Sequence, residues 1–561
     1  MKLDDAQLSA VFHNSGPALV VAGPGSGKTT VILNRVLYLI QQCQIPPEQI
    51  LVLTFTRAAA QSLQSRFLFL AEDIVLPVTF GTFHSIFYQI LRQYGSYKNS
   101  KIITTTEKYN ILYDLGVKDK TLLGDICHAF GYLLGNPNAQ IQSVLPAQMS
   151  EEEFQQLFQA YVRQLKLEDM LDFDQMAELV LQLFLDKPSI LVSFQTKYHY
   201  FLVDEFQDTN FYQYEILKLI SSKSSEIFVV GDDDQAIYSF RGSSPSIMMQ
   251  FQEDFDDVKS YFLTTNYRSG SRIVMDANRL IRANQQRIAK RIRSANTQDG
   301  SVSYLDFETK EMEYDYIVKR IKNLLDKIKP EEIAVIGRTN RQIDQLRQVL
   351  FKEGVACQSS GTKEEKKYSI VTEHLMGLIK YILGDKSKAK YWRSIYSSLD
   401  GYSPLFWADK HAKLFMNHLL KCKEYKAFLQ GLGEDKEFIK KELSILVKES
   451  GRHKSLQSFL EMLMYRVEES KQSSEGIHLL TMHSSKGLEF EYVCLIDINE
   501  GIIPGKQCIT PMEIEEERRM LYVGMTRAKK ILDVCYLKGT KEHPRLASRF
   551  LNPLLGREKK D

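Results

Sequence analysis

Residues 22–30 have the composition of a loop that binds phosphate groups. They lie between an apolar run at 18–22 and a helical pattern at 31–40. Glycines let backbone N–H groups surround phosphate oxygens, and the N-terminus of the following helix adds positive potential. Here Lys28 is predicted to reach the β- and γ-phosphates of a nucleotide, and the hydroxyl of Thr29 to bind Mg²⁺. The residues predicted to hold the nucleotide are Ala22, Gly23, Gly25, Ser26, Gly27, Lys28, Thr29 and Thr30.

Two neighbouring carboxylates follow the apolar run at 200–203. Carboxyl ends of parallel strands form the edge at which α/β proteins bind ligands, so Asp204 and Glu205 are expected at that edge. Asp204 is predicted to hold Mg²⁺, and Glu205 to polarise the water that attacks a phosphate. Such a pair alone is more often a solvated strand end, but together with a phosphate loop it predicts ATP hydrolysis. The long separation of Lys28 from Asp204 requires an inserted domain.

Further polar segments follow the later apolar runs. Residues 231–242 combine three acids with a glutamine, two aromatics and an arginine, and 265–269 read Thr-Asn-Tyr-Arg-Ser. Taken alone, the first segment is also typical of an acidic turn followed by side chains that face the core. Residues 483–490 and 516–529 carry further basic side chains. An arginine from outside the phosphate loop could stabilise the charge that accumulates on a transferred phosphoryl group.

The elements that must position these side chains form two sets of strands. One set is predicted at 18–22, 50–54, 200–203, 227–230 and 261–264, and the other at 333–336, 477–481, 492–496 and 531–535. Strands that alternate with helical patterns are typical of parallel sheets. Each set is interrupted by a long region of helical periodicity. We therefore predict an α/β protein with two parallel-sheet domains, each carrying a mostly helical insertion.

Composition excludes several classes of protein. The 561 residues include 72 basic and 70 acidic side chains, so the net charge is only +2 and nucleic-acid binding must rely on local patches or stacking. The seven cysteines form no CxxC pair, which argues against a zinc ribbon or a disulfide framework. The polar start of the chain and the lack of a long apolar run predict a cytoplasmic protein without a membrane span.

The ordered set of motifs resembles that of superfamily 1A DNA helicases, the UvrD, Rep and PcrA group. The matching segments read LDDAQ, AGPGSGKTT, TFTRAAA, GTFHS, DEFQD, GDDDQAIYSFRG, NYRS, GRTN, MHSSKGLEF and RRMLYVGMTRAKK, and the resemblance runs in family order from residue 3 to about residue 550. The resemblance implies two RecA-like motor domains, with ATP between them and DNA across their top. The implied domains are 1–85 with 198–265 (1A), 86–197 (1B), 266–360 with 475–555 (2A) and 361–474 (a reduced 2B), followed by a tail at 556–561.

The resemblance also implies roles for single residues at the nucleotide. Gln7 would read the adenine edge and Tyr267 would stack on the base, while Glu489 would bond the ribose and Gly487 would shape its loop. Gln235 resembles the sensor of the γ-phosphate. Arg268 and Arg527 resemble the two cations that the second motor domain supplies, and with Glu205 and Gln235 they make up the implied catalytic set.

On the DNA side, the resemblance implies contacts to single strands from residues of both motor domains. Aromatic side chains suit this task because every base offers a π-face. Phe240 stands where the family commonly has Trp, Arg57-Ala58 replaces the usual Asn-Lys, and the 2B region is clearly shorter than in the family. The implied contacts are Phe55, Thr56, Thr82, His84, Tyr238, Phe240, Arg241, Arg338, Asn340 and His483.

Two weaker patterns allow alternatives. Asp172 and Asp174 could be a metal-binding pair of a nuclease, although such a pair before a helix is more often an N-cap. The segment 272–293 carries seven basic residues and one acid, Asp276. It is either a solvated helical face or a surface that follows DNA phosphates beside the channel.

The predicted function is a 3′-to-5′ DNA helicase that uses ATP and Mg²⁺. The expected partners are single-stranded DNA and junctions of single and double strands, with a protein partner at the reduced 2B region, and the expected state is a monomer or transient dimer. The alternative is a DNA-stimulated translocase, or the motor subunit of a repair or defence complex, that unwinds weakly alone. A third class, a nucleotide-binding switch without a motor, is disfavoured because Glu205, Gln235 and Arg527 form a full hydrolytic set.

Overall fold

The computed structural model describes residues 3–72, 74, 76–95, 97, 100–137, 140–239, 242–243, 245–296, 299–358, 370–385, 392, 404–408, 410–431, 436–471 and 476–556. The chain divides into two compact units. Unit 1 comprises Met1–Lys310 and Ser485–Asp561, and unit 2 comprises Glu311–Ser484. The four domains predicted from the sequence are not tested by this division into two units, so their bounds stay a prediction.

The strands are short and rich in Val, Ile and Leu, the residue types that favour buried parallel sheets. In chain order they are β1 (Ala18–Ala22), β2 (Ile50–Thr54), β3 (Thr79–Thr82), β4 (Lys101–Ile102), β5 (Met170–Leu171), β6 (Tyr200–Val203), β7 (Glu226–Gly231), β8 (Lys259–Leu263), β9 (Thr265–Asn266), β10 (Arg293–Ser294), β11 (Ser301–Phe307), β12 (Ile333–Gly337), β13 (Cys357–Gln358), β14 (Ile477–Thr481), β15 (Phe490–Leu495) and β16 (Ala528–Leu537).

The helices include many with a side-chain cap at the N-terminus, as Ser, Thr, Asp and Asn provide. They are α1 (Asp5–Val11), α2 (Lys28–Gln41), α3 (Arg57–Leu70), α4 (Phe83–Tyr94), α5 (Thr105–Asp114), α6 (Lys120–Gly135), α7 (Glu151–Leu167), α8 (Met176–Asp186), α9 (Pro188–Lys197), α10 (Phe211–Ser221), α11 (Ile247–Asp254), α12 (Ser271–Ile281), α13 (Lys310–Leu325), α14 (Asn340–Lys352), α15 (Ile370–Ile382), α16 (Ala412–Leu419), α17 (Lys423–Gly431), α18 (Lys436–Ser450), α19 (Leu456–Lys471) and α20 (Pro511–Met525).

The first sheet of unit 1 has the strand order β3-β2-β6-β7-β1-β8, and its strands pair in parallel. Both faces are covered. Leu19, Val21 and Phe201 belong to one apolar cluster, whereas Val20 and Leu202 belong to another, as the period-2 alternation of strand side chains requires. The strand β1, which precedes the phosphate loop, is therefore buried from both sides and between β7 and β8.

The remaining strands form smaller groups. In unit 1, β16 pairs in parallel with both β11 and β15. In unit 2, β14 pairs in parallel with both β12 and β13. All nine strands predicted from the sequence are confirmed, and the α/β fold class with parallel sheets is confirmed with them. Strands β3 and β11 were not predicted, because β3 contains a glycine and β11 is half-exposed along its length.

The two helical regions have cores of their own. Residues between Ile103 and Leu165 form one apolar cluster, and residues between Val371 and Leu463 form another. Helices α4 and α8 contribute instead to the core of the first sheet. Among the described residues, no helix is long and apolar enough to cross a membrane.

Candidate nucleotide and nucleic-acid sites

The phosphate loop lies between β1 and α2, as the sequence predicts. Gly25 and Gly27 have φ values of 65° and 84°, which side chains other than glycine rarely adopt. A Cβ at Gly27 would also lie 2.6 Å from Nε2 of Gln7. The hydroxyl of Ser26 donates to the carbonyl of Gly23 at 2.8 Å, and Lys28 begins α2. The loop thus has the backbone geometry that a phosphate requires, and the lysine lies at the helix N-terminus.

The two residues implied to recognise the base both contact this loop. The side-chain amide of Gln7 donates to the carbonyl of Ser26 at 2.9 Å, and the backbone N–H of Tyr267 donates to the carbonyl of Gly25 at 2.9 Å. Asp4 links them, since its carboxylate caps α1 at the N–H of Gln7 and accepts from the hydroxyl of Tyr267. Tyr267 is 42% exposed, so its side chain is accessible from solvent.

Asn266 is a residue of this site that the sequence reasoning missed. Its amide donates to the carbonyl of Pro24 at 2.7 Å, and its Oδ1 accepts from the backbone N–H groups of Arg268 and Ser269, each at 2.8 Å. Asn266 is almost fully buried. It therefore fixes the phosphate loop and the backbone of Arg268 together. The sequence feature that could have indicated its role is its position as the first residue of the NYRS segment.

The two carboxylates after β6 have opposite electrostatics. Burial and the neighbouring Glu205 raise the pKa of Asp204 above its ordinary value. Burial also acts to raise the pKa of Glu205, but Lys28 and Lys486 outweigh it and lower that pKa below its ordinary value. Nζ of Lys28 lies 3.5 Å from Oε2 of Glu205, and the amide of Gln207 donates to the same oxygen at 2.5 Å. Glu205 is thus a carboxylate that Gln207 and Lys28 hold in a fixed orientation.

Asp204 and Thr29 are a suitable pair of oxygen ligands for Mg²⁺, because a carboxylate and a hydroxyl are hard donors. Asp204 is buried, and its backbone N–H donates to the carbonyl of Leu53 at 2.9 Å. The next residue of β2, Thr54, has a buried hydroxyl without a hydrogen-bond partner among the described residues. A buried acid with a raised pKa beside an unsatisfied hydroxyl fits a site that a cation completes.

Gln235 and Arg527 come together from distant parts of the chain. The amide of Gln235 donates to Asp232 at 2.5 Å, and its Oε1 accepts from Nη2 of Arg527 at 3.4 Å. Arg527 is buried, and burial together with the nearby Arg268 lowers its pKa to about 9. The N–H of Asp232 donates to Oε1 of Gln207 at 2.9 Å. A continuous series of hydrogen bonds therefore joins Glu205, through Gln207, to Gln235.

A second link reaches Gln235 from the segment after unit 2. Nζ of Lys486 lies 2.7 and 2.6 Å from the two carboxylate oxygens of Asp208 and donates to the carbonyl of Gln235 at 2.8 Å. Burial raises the pKa of Asp208 to about 6, although Lys486 acts to lower it. Neither residue was singled out from the sequence. The DEFQD and SSKGLEF segments that contain them were the available signal.

Arg268 and Glu489 form an ion pair. Nε of Arg268 lies 2.6 Å from Oε2 of Glu489, and Nζ of Lys529 lies 3.6 Å from Oε1 of the same residue. Gly487 has a φ of 85° in the loop before Glu489. The residue implied to bond the ribose is therefore occupied by a cation in this structure, and it is 46% exposed at its side chain.

The predicted DNA contacts of unit 1 include two aromatic stacks. The rings of Phe55 and Tyr238 lie 5.1 Å apart with an interplanar angle of 22°, and those of His84 and Phe173 lie 3.7 Å apart at 14°. Phe173 is 40% exposed and was not predicted as a contact. Thr56 and Thr82 cap α3 and α4 with their hydroxyls. Phe240 and Arg241 lie outside the described residues.

The three predicted DNA contacts of unit 2 lie at strand ends. Arg338 follows β12, and its backbone N–H donates to Oε1 of Gln342 at 3.1 Å. Asn340 begins α14. His483 comes two residues after the end of β14. The residue between them, Met482, donates its backbone N–H to the carbonyl of Gly337 at 2.9 Å. These ends of parallel strands are positions at which α/β proteins commonly bind ligands.

The comparisons with known proteins match both halves of the chain. The model of the UvrD/REP helicase N-terminal domain matches residues 3–256, and that of the UvrD-like helicase C-terminal domain matches residues 261–397 and 435–539. The chain belongs to the UvrD/REP family of ATP-dependent DNA helicases. The family resemblance stated from the motifs is confirmed, and the protein is an enzyme of this class.

Relatives of this helicase match over nearly its whole length. The YjcD protein of Bacillus subtilis is 31% identical, over 99% of this chain and 81% of its own length. The ATP-dependent DNA helicase Rep of Buchnera aphidicola is 30% identical, over 98% of each chain. The ATP-dependent DNA helicase PcrA of Staphylococcus epidermidis is 28% identical, over 94% of this chain and 82% of its own.

The basic segment 272–293 of this helicase fits neither alternative at its two central cations. Arg287 forms a two-pronged ion pair with Asp234, at 2.8 and 2.6 Å. Nζ of Lys290 lies 3.1, 2.5 and 2.8 Å from carboxylate oxygens of Asp232, Asp233 and Asp234, and its side chain is 1% exposed. These two cations are therefore committed to the acidic loop, so they form neither a solvated face nor a DNA surface.

The acid pair at 172–174 belongs to the helical insertion of this helicase. Asp172 is buried and accepts from Nζ of Lys108 at 2.8 Å and from the hydroxyl of Tyr161 at 2.5 Å. Lys108 also lies 3.6 Å from Asp174. Among the described residues, no group of three or more His, Cys, Asp or Glu side chains could hold a metal ion. Asp172 is thus the buried acid of an ion-pair network with Lys108, while the Asp174 side chain is 35% exposed, and this pairing argues against the nuclease interpretation.

Proposed function

We propose that the protein is a 3′-to-5′ helicase that moves along single-stranded DNA and separates duplex by hydrolysing ATP. The observation that carries this proposal is the hydrogen-bonded series from Glu205 through Gln207 and Asp232 to Gln235 and Arg527. A protein that only binds nucleotide has no need to join a water-polarising carboxylate to a buried arginine. The direction is carried over from the resemblance of the motif series.

In the proposed reaction, Lys28 and the backbone of the phosphate loop bind the phosphates, and Tyr267 and Gln7 bind the base. Glu205 accepts a proton from the attacking water as the γ-phosphoryl group leaves ADP. Arg268 and Arg527 stabilise the charge of the transition state, where a fixed cation has its largest effect. Thr29 and Asp204 would hold Mg²⁺, which supplies further charge neutralisation on the phosphates when bound.

Glu489 requires a rearrangement in this scheme. Its carboxylate is paired with Arg268 at 2.6 Å, so neither residue can serve ribose or phosphate while the pair persists. We propose that nucleotide binding exchanges this pair, with Arg268 turning to the phosphates and Glu489 to the ribose. In the absence of ATP, Arg268 and Glu489 would then stay paired with each other.

The DNA is proposed to contact the aromatic pairs Phe55–Tyr238 and His84–Phe173, together with the remaining predicted residues of both units. Stacking is tolerant of sequence, as a motor that moves past every base requires. A change at Gln235 on hydrolysis would reach this surface directly, because Tyr238 is only three residues further along the chain. This short separation along the chain is how the state of the nucleotide would be coupled to the contacts with the DNA strand.

A strand-displacement assay with the protein alone tests the proposal. Duplexes with a 3′ tail, a 5′ tail or blunt ends are mixed with ATP and Mg²⁺, and the released strand is measured. Unwinding of the 3′-tailed duplex alone is expected. Preferential unwinding from the 5′ tail would overturn the direction, and no nucleotide hydrolysis with any DNA would overturn the motor itself.

A second candidate is a DNA-stimulated translocase, or the motor subunit of a repair or defence complex, that unwinds weakly by itself. The feature that favours it is the region 361–474, which the sequence predicts to be a reduced 2B domain. In the same assay this candidate gives ATPase activity stimulated by single strands, and displacement of a protein bound to the strand, with little unwinding. A protein partner would then dock on the 2B region.

A further inference from the structure

We propose that Lys290 is a positioning residue for ATP hydrolysis, which acts on Gln235 through Asp232. The inference rests on the proposed role of Gln235 as the sensor of the γ-phosphate. Lys290 lies in the segment between α12 and β10, and none of the family motifs found in the sequence contains it. Its three carboxylate neighbours occupy successive positions of the loop that ends in Gln235.

The contacts of Lys290 define the shape of this loop. Nζ lies 3.1 Å from Oδ1 of Asp232, while Oδ2 of the same carboxylate accepts from the amide of Gln235 at 2.5 Å. Asp233 also accepts from the backbone N–H of Ile288 at 2.7 Å, so the segment of Lys290 contacts the loop through its backbone as well. One ammonium group thus holds the carboxylate that orients the sensor.

Because these groups are buried, the carboxylates depend on the Lys290 ammonium to stay ionised and in place. The Lys290 side chain is 1% exposed, and Asp232 and Asp234 have side chains with no exposed surface. The carboxylates raise the pKa of Lys290 well above its ordinary value, although burial acts to lower it. A buried carboxylate without its cation would move or take up a proton. In either case the acceptor for the Gln235 amide would change.

The chemical consequence concerns turnover more than binding. The phosphate loop and the base-binding residues have their own contacts, so nucleotide affinity does not depend on Lys290. The orientation of Gln235 matters when the γ-phosphoryl group is transferred, and a group that acts there changes kcat more than KM. Lys290 would therefore couple the segment between α12 and β10 to the chemical step.

The test compares three changes in the full-length protein with saturating single-stranded DNA. Lys290→Met removes the cation but leaves buried carboxylates unpaired, so it could fail to fold. The double variant Lys290→Met with Asp233→Asn removes one charge of each sign, and Asp233 is the acid that does not contact Gln235. Arg291→Met, which changes an exposed cation next in the chain, is the matched control. Each protein is measured for kcat, KM for ATP and melting temperature.

We expect the charge-balanced double variant to melt near the wild-type temperature but to lose about tenfold or more in kcat, with KM for ATP within about twofold. Arg291→Met is expected to match the wild type. A balanced variant that folds and keeps wild-type kcat would overturn the inference. A loss that appears only as a raised KM or a lowered melting temperature would assign Lys290 a merely structural role.

The same changes in a Gln235→Ala background separate this inference from the proposed function. If Lys290 acts through Gln235, the balanced double change should cause little further loss of kcat there. An equal tenfold loss in both backgrounds would overturn the inference while leaving the role of Gln235 intact. A Gln235→Ala variant with wild-type kcat would overturn that role first, and the inference with it.

Discussion

The nucleotide side and the DNA side of unit 1 are built in opposite ways. At the nucleotide, buried charged and amide groups are tied to one another, as in the series from Glu205 to Arg527. On the DNA side, the predicted contacts Phe55, Tyr238 and His84 lie in stacked ring pairs, and Phe173, the unpredicted partner of His84, is 40% exposed. Phosphoryl transfer needs charges at fixed positions, whereas a moving strand needs faces that accept any base.

Substitutions in the buried network and at the aromatic contacts should differ in their energetic cost. Removing one partner from a buried network leaves others unpaired, which costs several times more than an exposed contact contributes. The loss of one stacked ring removes about 1–3 kcal/mol of DNA binding and little else. Substitutions on the nucleotide side should therefore give large and cooperative losses of turnover, and those on the DNA side should give small and separable losses of affinity.

Lys28→Ala should give the largest effect. Loss of the ammonium at the β- and γ-phosphates is expected to abolish DNA-stimulated ATP hydrolysis, while affinity for single-stranded DNA stays within about twofold. Hydrolysis is measured by phosphate release and DNA affinity by fluorescence anisotropy. Lys223→Ala, at an exposed lysine of the same unit, serves as the control. ATPase activity within a few-fold of wild type would contradict the assignment of the phosphate loop.

Arg527→Ala is expected to lower kcat by about 10³-fold with nucleotide binding nearly intact, as for a cation that acts in the transition state. Because Arg527 is buried, the melting temperature of the Arg527→Ala variant is measured as well. Arg527→Lys keeps the charge but not the fork of donors, and it should recover only part of the rate.

The control for this series is Arg163→Ala, at an exposed position of α7. An Arg527→Ala variant with unchanged kcat and a raised KM would show that this arginine supports the structure and takes no part in the chemical step.

Tyr238→Ala should affect mainly the DNA side. Loss of the ring that is proposed to stack on a base is expected to raise the Kd for single-stranded DNA by about 5- to 150-fold, which corresponds to roughly 1–3 kcal/mol. ATP hydrolysis without DNA should change far less than in Arg527→Ala, although the Tyr238 ring lies 5.0 Å from Nζ of Lys486. Phe12→Ala removes an exposed aromatic ring of unit 1 that packs against Tyr38 at an interplanar angle of 48° and is not a predicted DNA contact, so it should leave DNA affinity unchanged. Equal losses in both variants would refute a specific DNA role.

Acidification should give the smallest effect. Burial raises the pKa of Asp208 to about 6, so its carboxylate is ionised at pH 8 and increasingly protonated below pH 6. Protonation cancels the attraction to Lys486 that supports the Gln235 carbonyl. Asp208→Asn mimics the protonated acid, so the kcat ratio of wild type to this variant should fall towards one between pH 8 and pH 5.5. A ratio that stays constant over this range would exclude the coupling.

The comparison also explains which features the sequence could predict. Buried parallel strands such as β1 and β14 appear as short apolar runs, and their limits were predicted within a few residues. The residues of the motifs were identified because phosphate chemistry demands particular types at particular spacings. The half-exposed β11 was not predicted, because its apolar pattern is weak.

The residues that hold the catalytic groups were harder to find. Asn266 and Gln207 lie inside recognised motifs, but their function depends on partners far away in the chain, such as Pro24 and Asp232. Lys290 looked like one member of a basic face, because nothing in the local sequence indicates which cations are buried. Positions of partners across a fold come from topology, and a single sequence contains no local signal for them.

The place of β1 in the first sheet has a consequence for synthesis of the chain on the ribosome. Strand β1 pairs with β7 and β8, which emerge about 200 residues later. At ordinary elongation rates this delay is on the order of 10 to 40 seconds. During that time the five apolar residues before the phosphate loop have no strand beside them, so the nascent protein exposes a segment that chaperones recognise. The predicted nucleotide site can be completed only after Arg527 has been added, about 500 residues after Lys28.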